Sequence, residues 1–282
     1  MRLRVEHETR YGYENPVGYT IQSLRLTPRD HAAQRVLSWH IFAAGTLTAF
    51  EDSFGNLTHT LVIDVDHDET VIRVAGEVET TDTNGVLPPL PDRFPLVLYL
   101  RPTELTRPDD ALRDLVAGLD GIADGVERAH ALMNRVRDAI DYRAGETSVT
   151  TTAAQALAHG HGVCQDHAHA FITGARLLDL PARYVSGYLM AGNGHGGDAA
   201  PPRDHDTIHD ASHAWAEVHV EGLGWVGFDA ANRQCPTDAY VRLAHGLDYR
   251  EAAPIRGLRR GGGDERLRVR VSVTQAGEQA QS

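Results

Sequence analysis

Lysine is absent from this chain; all 27 basic residues are arginine. That excludes a Schiff-base lysine and a lysine general base. Cysteine is scarce too, with Cys164 and Cys235 the only two among 282 residues. Two thiols imply no disulfide framework, so an ordinary apolar core must hold the fold. Positive charge is outweighed. With 39 acidic residues the formal net charge is −12, which argues against an electrostatic footprint on nucleic acid. No apolar run reaches signal-peptide or membrane-spanning length, so the expectation is a cytoplasmic protein with no membrane partner.

What is present is a globular composition, 41% hydrophobic and 23% charged, enough for one large domain or two ordinary ones. Up to about Thr80 the pattern has the two-residue period of strands. Extended segments are expected at 2–8, 19–26 (after a Pro16/Gly18 turn), 34–42, 57–65 and 70–79, with turns at 52–56 and 66–68. Short strands at this spacing suggest a β-sandwich-like module, read as a scaffold or partner-binding unit. The proline-dense stretch 84–91 reads as an extended linker, and 96–100 as a short apolar run. Beyond Asp109 the period changes to 3.6, giving one helix through Leu112, Leu115, Val116 and Leu119 and a second over 126–140. The expected division is a β-rich domain over 1–104, a core over 105–258, and a C-terminal strand and tail over 259–282.

Thr151 or Thr152 is a plausible cap for a short helix ending near Leu157. Just beyond it stands His161-Gly162-Val163-Cys164-Gln165-Asp166-His167-Ala168-His169, followed by an apolar helical pattern through Phe171, Ile172, Ala175, Leu178 and Leu180 that Pro181 ends. Cys164 therefore falls at or near a helix N-terminus, where unpaired amides and the helix dipole favour a thiolate. The alternative is a buried cysteine packing as a small apolar residue. Residues 182–189 read as a strand, and 190–212, rich in Gly, Pro, Asp and His, as a long loop best taken as a substrate-side lid. Strict alternation from His213 to Val220, a turn at 221–223 and a strand over 224–229 read as an antiparallel hairpin. A thiolate needs a base, and the base an orienting partner. His213 opens the first strand of the hairpin and Asp229 closes the second, so pairing would bring imidazole and carboxylate within reach.

These motifs resemble a known family. Gly-Val-Cys-Gln-Asp-x-Ala-His, Pro-Ala-Arg-Tyr-Val-Ser-Gly-Tyr, Ser-His-Ala-Trp-x-Glu-Val and Gly-Trp-Val-Gly-Phe-Asp follow in the order seen in the bacterial transglutaminase-like superfamily. Tyr-x-Tyr-x-x-Pro-Val, Leu-Arg-Leu-x-Pro-Arg and Phe54-Gly55-Asn56 resemble the β-rich N-terminal region that accompanies that core. Asp248-Tyr249 and Pro254-Ile255-Arg256-Gly257 resemble its usual close. The resemblance implies an α+β protein, an antiparallel β-sandwich-like domain before a papain-like, transglutaminase-like core. It also implies a thiol enzyme with Cys164 as nucleophile, His213 as general base and acid, and Asp229 as orienting carboxylate. A Cys thioester formed from an amide would pass to water or to an amine. The expected partner is a peptide or protein amide; no cofactor or metal is implied, and a homo-oligomer is compatible. The sequence departs from the pattern at Ala230-Ala231-Asn232, where relatives often carry Pro-Thr-Asn, and at His167, where they tend to be aromatic.

Two rival readings stand beside this one. His161, Cys164 and His167, with His159, His169, His205, His209 and His213, have zinc-like spacings, but structural zinc takes four ligands and there is no second CxxC pair. A non-catalytic scaffold with a relict site is the other. Trp215 and Trp225 read as a cross-strand pair, Cys235 as inert, Asp166 as serving the helix N-terminus, and Glu217 as structural.

Overall fold

The computed structural model describes residues 1–87, 93–190 and 212–277. In chain order the elements are β1 (Arg2–Leu24), β2 (Gln34–Ala43), β3 (Thr46–Glu51), β4 (Leu57–Ile63), β5 (His67–Thr80), α1 (Asp110–Val116), α2 (Gly125–Ala139), β6 (Asp141–Tyr142), α3 (Ala153–His159), β7 (His161–Gly162), α4 (Cys164–Leu177), β8 (Ala182–Leu189), β9 (Ser212–Val220), β10 (Gly224–Phe228), β11 (Tyr240–Gly246), α5 (Tyr249–Ala252), β12 (Ile255–Gly261) and β13 (Glu265–Gln275). The lid reading falls on residues 191–211, which lie outside the described residues, as do 88–92 of the linker and 278–282 of the tail.

The N-terminal half is an antiparallel sheet nearly closed into a barrel, ordered β2-β5-β1-β4-β3, with β12 and β13 also paired to β1. Alternation of Leu3, Val5, His7 and Thr9 inward sets the first half of β1. The turn expected at Pro16/Gly18 does not form; the chain continues extended. Between Gly12 and Val17 the pairing with β5 lapses, so the missing N–H of Pro16 interrupts no ladder bond there. One half of β1 therefore pairs with β5 and β13, the other with β4 and β12. The two flanks meet across an apolar interior in which Ile72 and Val74 of β5 pack with Leu61 and Ile63 of β4 and with Leu24 and Leu26. Burying each such side chain contributes about 1.5–3 kcal/mol.

The core is a four-stranded antiparallel sheet, β10-β9-β8-β11, with α4 laid on one face. Ala214, Ala216 and Val218 of β9 and Val226 and Phe228 of β10 pack there with Phe171, Ile172 and Ala175 of α4. Leu112 and Val116 of α1, Leu132 and Val136 of α2, and Ala153 and Ala156 of α3 join the same cluster. Gly174 permits the approach of α2, because a Cβ there would sit 2.7 Å from Leu132. Sheet and helices thus enclose α4 on every side: every residue from Gln165 to Arg176 is buried, so the helix presents no exposed polar face. Among the described residues no helix is long and apolar enough to cross a membrane.

The other face of the core sheet meets the N-terminal half. There β11 is an edge strand, and two side-chain amides occupy backbone positions a neighbouring strand would fill. Gln34 accepts from Arg242 N–H at 2.8 Å and donates to Arg242 O at 3.0 Å; Asn56 does the same for His245 at 2.9 and 2.8 Å. The linker begins as part of the hairpin, since Val86 bridges to Val226 and Leu87 N–H donates to Trp225 O at 2.8 Å.

Candidate active site

Helix α3 ends at Gly160, whose φ of 69° is the left-handed conformation that closes helices. Gly162 lies against Asp166, where a Cβ would meet the carboxyl 2.7 Å away. That closeness lets Asp166 Oδ2 accept from Val163 N–H at 2.8 Å and from the Thr147 hydroxyl at 2.7 Å. The Asp166 carboxylate therefore holds the entry to α4, as the sequence suggests. Cys164 is the first residue of that helix, half-buried, with its N–H among the amides that have no intrahelical acceptor.

Opposite stands His213, near the start of β9. Its Nε2–H donates to Asp229 Oδ2 at 2.6 Å, and the Cys164 sulfur lies close enough to bear on the charge of the ring. With Nε2 committed to the carboxylate, Nδ1 is the nitrogen left available to a thiol. Burial works against charge on this ring. The Asp229 carboxylate, its hydrogen bond and the Cys164 sulfur outweigh burial and hold the pKa well above the ordinary imidazole value. Burial works to raise Asp229 in turn, and the His213 charge with the hydrogen bonds around it holds the carboxyl below its usual range. The three residues singled out by sequence come together: a thiol at a helix N-terminus, an imidazole, and a buried carboxylate.

The Ala230-Ala231-Asn232 departure leaves the turn beyond Asp229 closed. Asp229 N–H donates to Gln234 O at 2.8 Å, Arg233 takes a φ of 53°, and Asn232 N–H reaches Asp229 Oδ1 at 3.2 Å. Asn232 Nδ2 donates to Asp229 Oδ2 at 2.8 Å, and the Tyr240 hydroxyl donates to the same oxygen at 2.7 Å. Sequence reasoning missed both partners. The position of Asn232, three residues past the aspartate in a tight turn, was a usable signal; Tyr240 had none, because it arrives from the far edge of the sheet.

Other residues land elsewhere. His167 is fully buried, its Nδ1 and Nε2 each 2.9 Å from the carbonyl oxygens of Val163 and Ile140, so it faces no substrate. His161 Nε2 pairs with Glu146 at 2.9 Å. Among the described residues no group of three or more His, Cys, Asp or Glu side chains could share a metal ion, and His205 and His209 lie outside those residues. Trp215 and Trp225 are not a cross-strand pair. The register sets Trp225 opposite His219, and Trp215 opposite Val185 on the other neighbour, β8. Trp215 packs edge-on against Tyr240 at 5.4 Å, and Trp225 lies under the Arg183 guanidinium at 3.8 Å. Glu217 is buried between Arg183 and Arg242, at 2.6 and 2.7 Å; burial works to raise its carboxyl, and the two arginines hold it at about 2. Cys235 lies half-buried 4.0 Å from His130 Nε2, and burial raises its thiol pKa.

A helix enclosed on every side, with a thiol at its first residue and an antiparallel sheet delivering imidazole and carboxylate to it, is the layout of a papain-like α+β core. Residues 113–230 match the transglutaminase-like superfamily and residues 3–79 match the bacterial transglutaminase-like N-terminal region. The chain thus carries a transglutaminase-like core preceded by a bacterial transglutaminase-like N-terminal region. It is 28% identical to an uncharacterized protein of Mycobacterium leprae, covering 97% of this chain and 98% of that one. It is 29% identical to an uncharacterized protein of Mycobacterium tuberculosis, covering 91% and 87%. A candidate cysteine protease from Cytophaga hutchinsonii shares the fold with a TM-score of 0.76 at 19% identity, over 99% of this chain and 92% of that one.

Proposed function

We propose that this chain is a cysteine-nucleophile acyl-transfer enzyme acting on an amide, a peptide bond or a glutamine side chain. Cys164 is the nucleophile, His213 the general base and acid, and Asp229 the orienting carboxylate. The observation that carries the reading is His213 bonded through Nε2 to a buried carboxylate, with the sulfur at the start of α4 close enough to bear on its charge. The thiolate adds to the amide carbonyl, and the oxyanion is stabilised by the Cys164 N–H and one further donor. As the carbon–nitrogen bond breaks, His213 gives its Nδ1 proton to the leaving amine, which leaves a thioester on sulfur and a neutral ring. Water or an amine then attacks the thioester, gives a proton back to His213, and releases the thiolate. Transfer to an amine requires a site that keeps water from the thioester.

The test is intact-mass spectrometry of the enzyme mixed with candidate amides, with iodoacetamide labelling alongside. A thioester adduct and rapid labelling, both localised to Cys164 and both lost in Cys164→Ala, are the expected results. Rapid labelling that persists in the variant, or a protein that turns over no amide while binding partners normally, supports the non-catalytic scaffold instead. An added amine that captures the acyl group identifies a transamidase; its failure to compete with water identifies a hydrolase.

A further inference from the structure

The carboxylate that orients His213 is itself oriented, and the chain of bonds leads out of the core. The buried hydroxyl of Tyr240 donates to Asp229 Oδ2 at 2.7 Å, the same oxygen that binds His213, and accepts from Gln234 Nε2 at 2.7 Å. Because a carboxylate only accepts, the proton direction runs from Gln234 through Tyr240 to Asp229. Burial, reinforced by the Asp229 charge, keeps the phenol protonated at all ordinary pH. The Tyr240 ring also packs against the His213 ring, centroids 5.9 Å apart.

Tyr240 is the first residue of β11, and the N-terminal sheet grips that strand on both sides of it. Two residues before, Thr80 donates its hydroxyl to Asp238 O, and the Met1 ammonium lies 3.6 Å from the Asp238 carboxylate. Two residues after, the Gln34 amide clasps the backbone of Arg242 in both directions. Between the grips Tyr240 lines a cavity of about 50 Å³ with His31, Gln34, Trp215 and Arg242, so apolar packing alone does not fix the strand on that side.

We propose that Tyr240 is a positioning residue for Asp229, and that the N-terminal sheet sets its place through Gln34 and Thr80. The inference rests on the thiol–imidazole–carboxylate reading above. On this account the N-terminal sheet is part of the catalytic apparatus at one remove, through a strand edge it holds in register.

The experiment measures the rate of iodoacetamide alkylation at the Cys164 peptide across pH, on the full chain. The variants are Tyr240→Phe, Gln34→Ala, the double variant, and His213→Ala as control. Tyr240→Phe keeps the ring and loses only the hydroxyl. It should slow alkylation at neutral pH about tenfold and move the acid limb of the profile upward, with the protein still folded at neutral pH and only a modest fall in melting temperature from the lost buried hydrogen bonds. Gln34→Ala should slow alkylation less, and the double variant should be no slower than Tyr240→Phe, since residues acting through one bond are not additive. If Tyr240→Phe matches the wild type in rate and profile while His213→Ala is slow, this inference fails and the proposed function stands. A wild-type rate in His213→Ala overturns both. Full additivity of Gln34→Ala with Tyr240→Phe severs the link to the N-terminal sheet.

Discussion

His213 shows how two neighbours reverse what burial alone would do. Enclosure favours a neutral ring, yet the Asp229 carboxylate 2.6 Å away and the Cys164 sulfur hold the proton on. In the proposed acyl transfer that proton goes to the leaving amine, so the expected activity falls as pH rises through the pKa of His213 in the folded protein. That pKa is raised, so the alkaline limb of the activity profile should lie well above the ordinary imidazole range. Asp229→Asn removes the charge that raises it, and the limb should drop toward about 6.5. A profile in Asp229→Asn that keeps its alkaline limb in place would show that the carboxylate does not set the charge on His213. Cys164, His213 and Asp229 were legible in the sequence because each stands in a motif whose local structure a period or a turn announces. Tyr240 was not, since its bond to Asp229 exists only once β11 has joined the sheet.

At the scale of elements, α4 is held as much by its last turn as by its first. Arg176 is buried, and among the described residues no carboxylate is bonded to it. Its Nε donates to Tyr99 O at 2.9 Å, Nη1 to the Thr106 hydroxyl at 2.7 Å, and Nη2 to Ala182 O and Leu247 O at 3.0 and 2.7 Å. One guanidinium thus ties the helix to the segment before α1, to β8 and to the end of β11. Burial lowers its pKa to about 10, which leaves it charged at neutral pH. Arg176→Met fills much of the volume but strands these acceptors, and should destabilise the protein by more than about 3 kcal/mol. A urea midpoint close to that of the wild type would contradict the clamp. Elements were legible where one period governs them. The strand expected over 182–189 is β8 (Ala182–Leu189), and the helix expected over 126–140 is α2 (Gly125–Ala139). Elements failed where pairing overrides local chemistry. Pro16 and Gly18 read as a turn, yet β12 and β4 hold the chain extended beyond them. The sequence also gave no sign of β3, whose residues Thr46–Glu51 stay mostly exposed and lack an inward apolar alternation.

Over the whole molecule the return of β12 and β13 to β1 was the least legible feature, because no local pattern records which of two distant strands will be neighbours. That return helps to seat the two sheets against each other, and three neutral histidines lie along the seam. His7 Nδ1 lies 2.8 Å from the Tyr188 hydroxyl of β8, His31 lines the cavity beside Tyr240, and His245 is clasped by Asn56. Burial lowers all three: His7 and His31 to about 4, His245 well below the ordinary value, with Arg242 adding to burial at His31 and both Arg183 and Arg242 at His245. The sign follows directly. Above the unfolded value of 6.5 both states are neutral and pH is indifferent. Below it the unfolded chain takes up protons that the folded seam refuses, so stability falls until the folded pKa near 4 is reached. His7 alone removes about 3 kcal/mol over that interval. Glu217 keeps its charge throughout, with its carboxyl held at about 2. Asp166 and Glu251, raised by burial, act in the opposite sense without facing the seam. The melting temperature should therefore decline steeply between pH 6.5 and pH 4.5, and His7→Gln, which cannot take up a proton, should make the decline shallower. A melting temperature that stayed level across this interval would mean that the seam admits water to its histidines. The two sheets would then be joined by contacts other than those that grip β11.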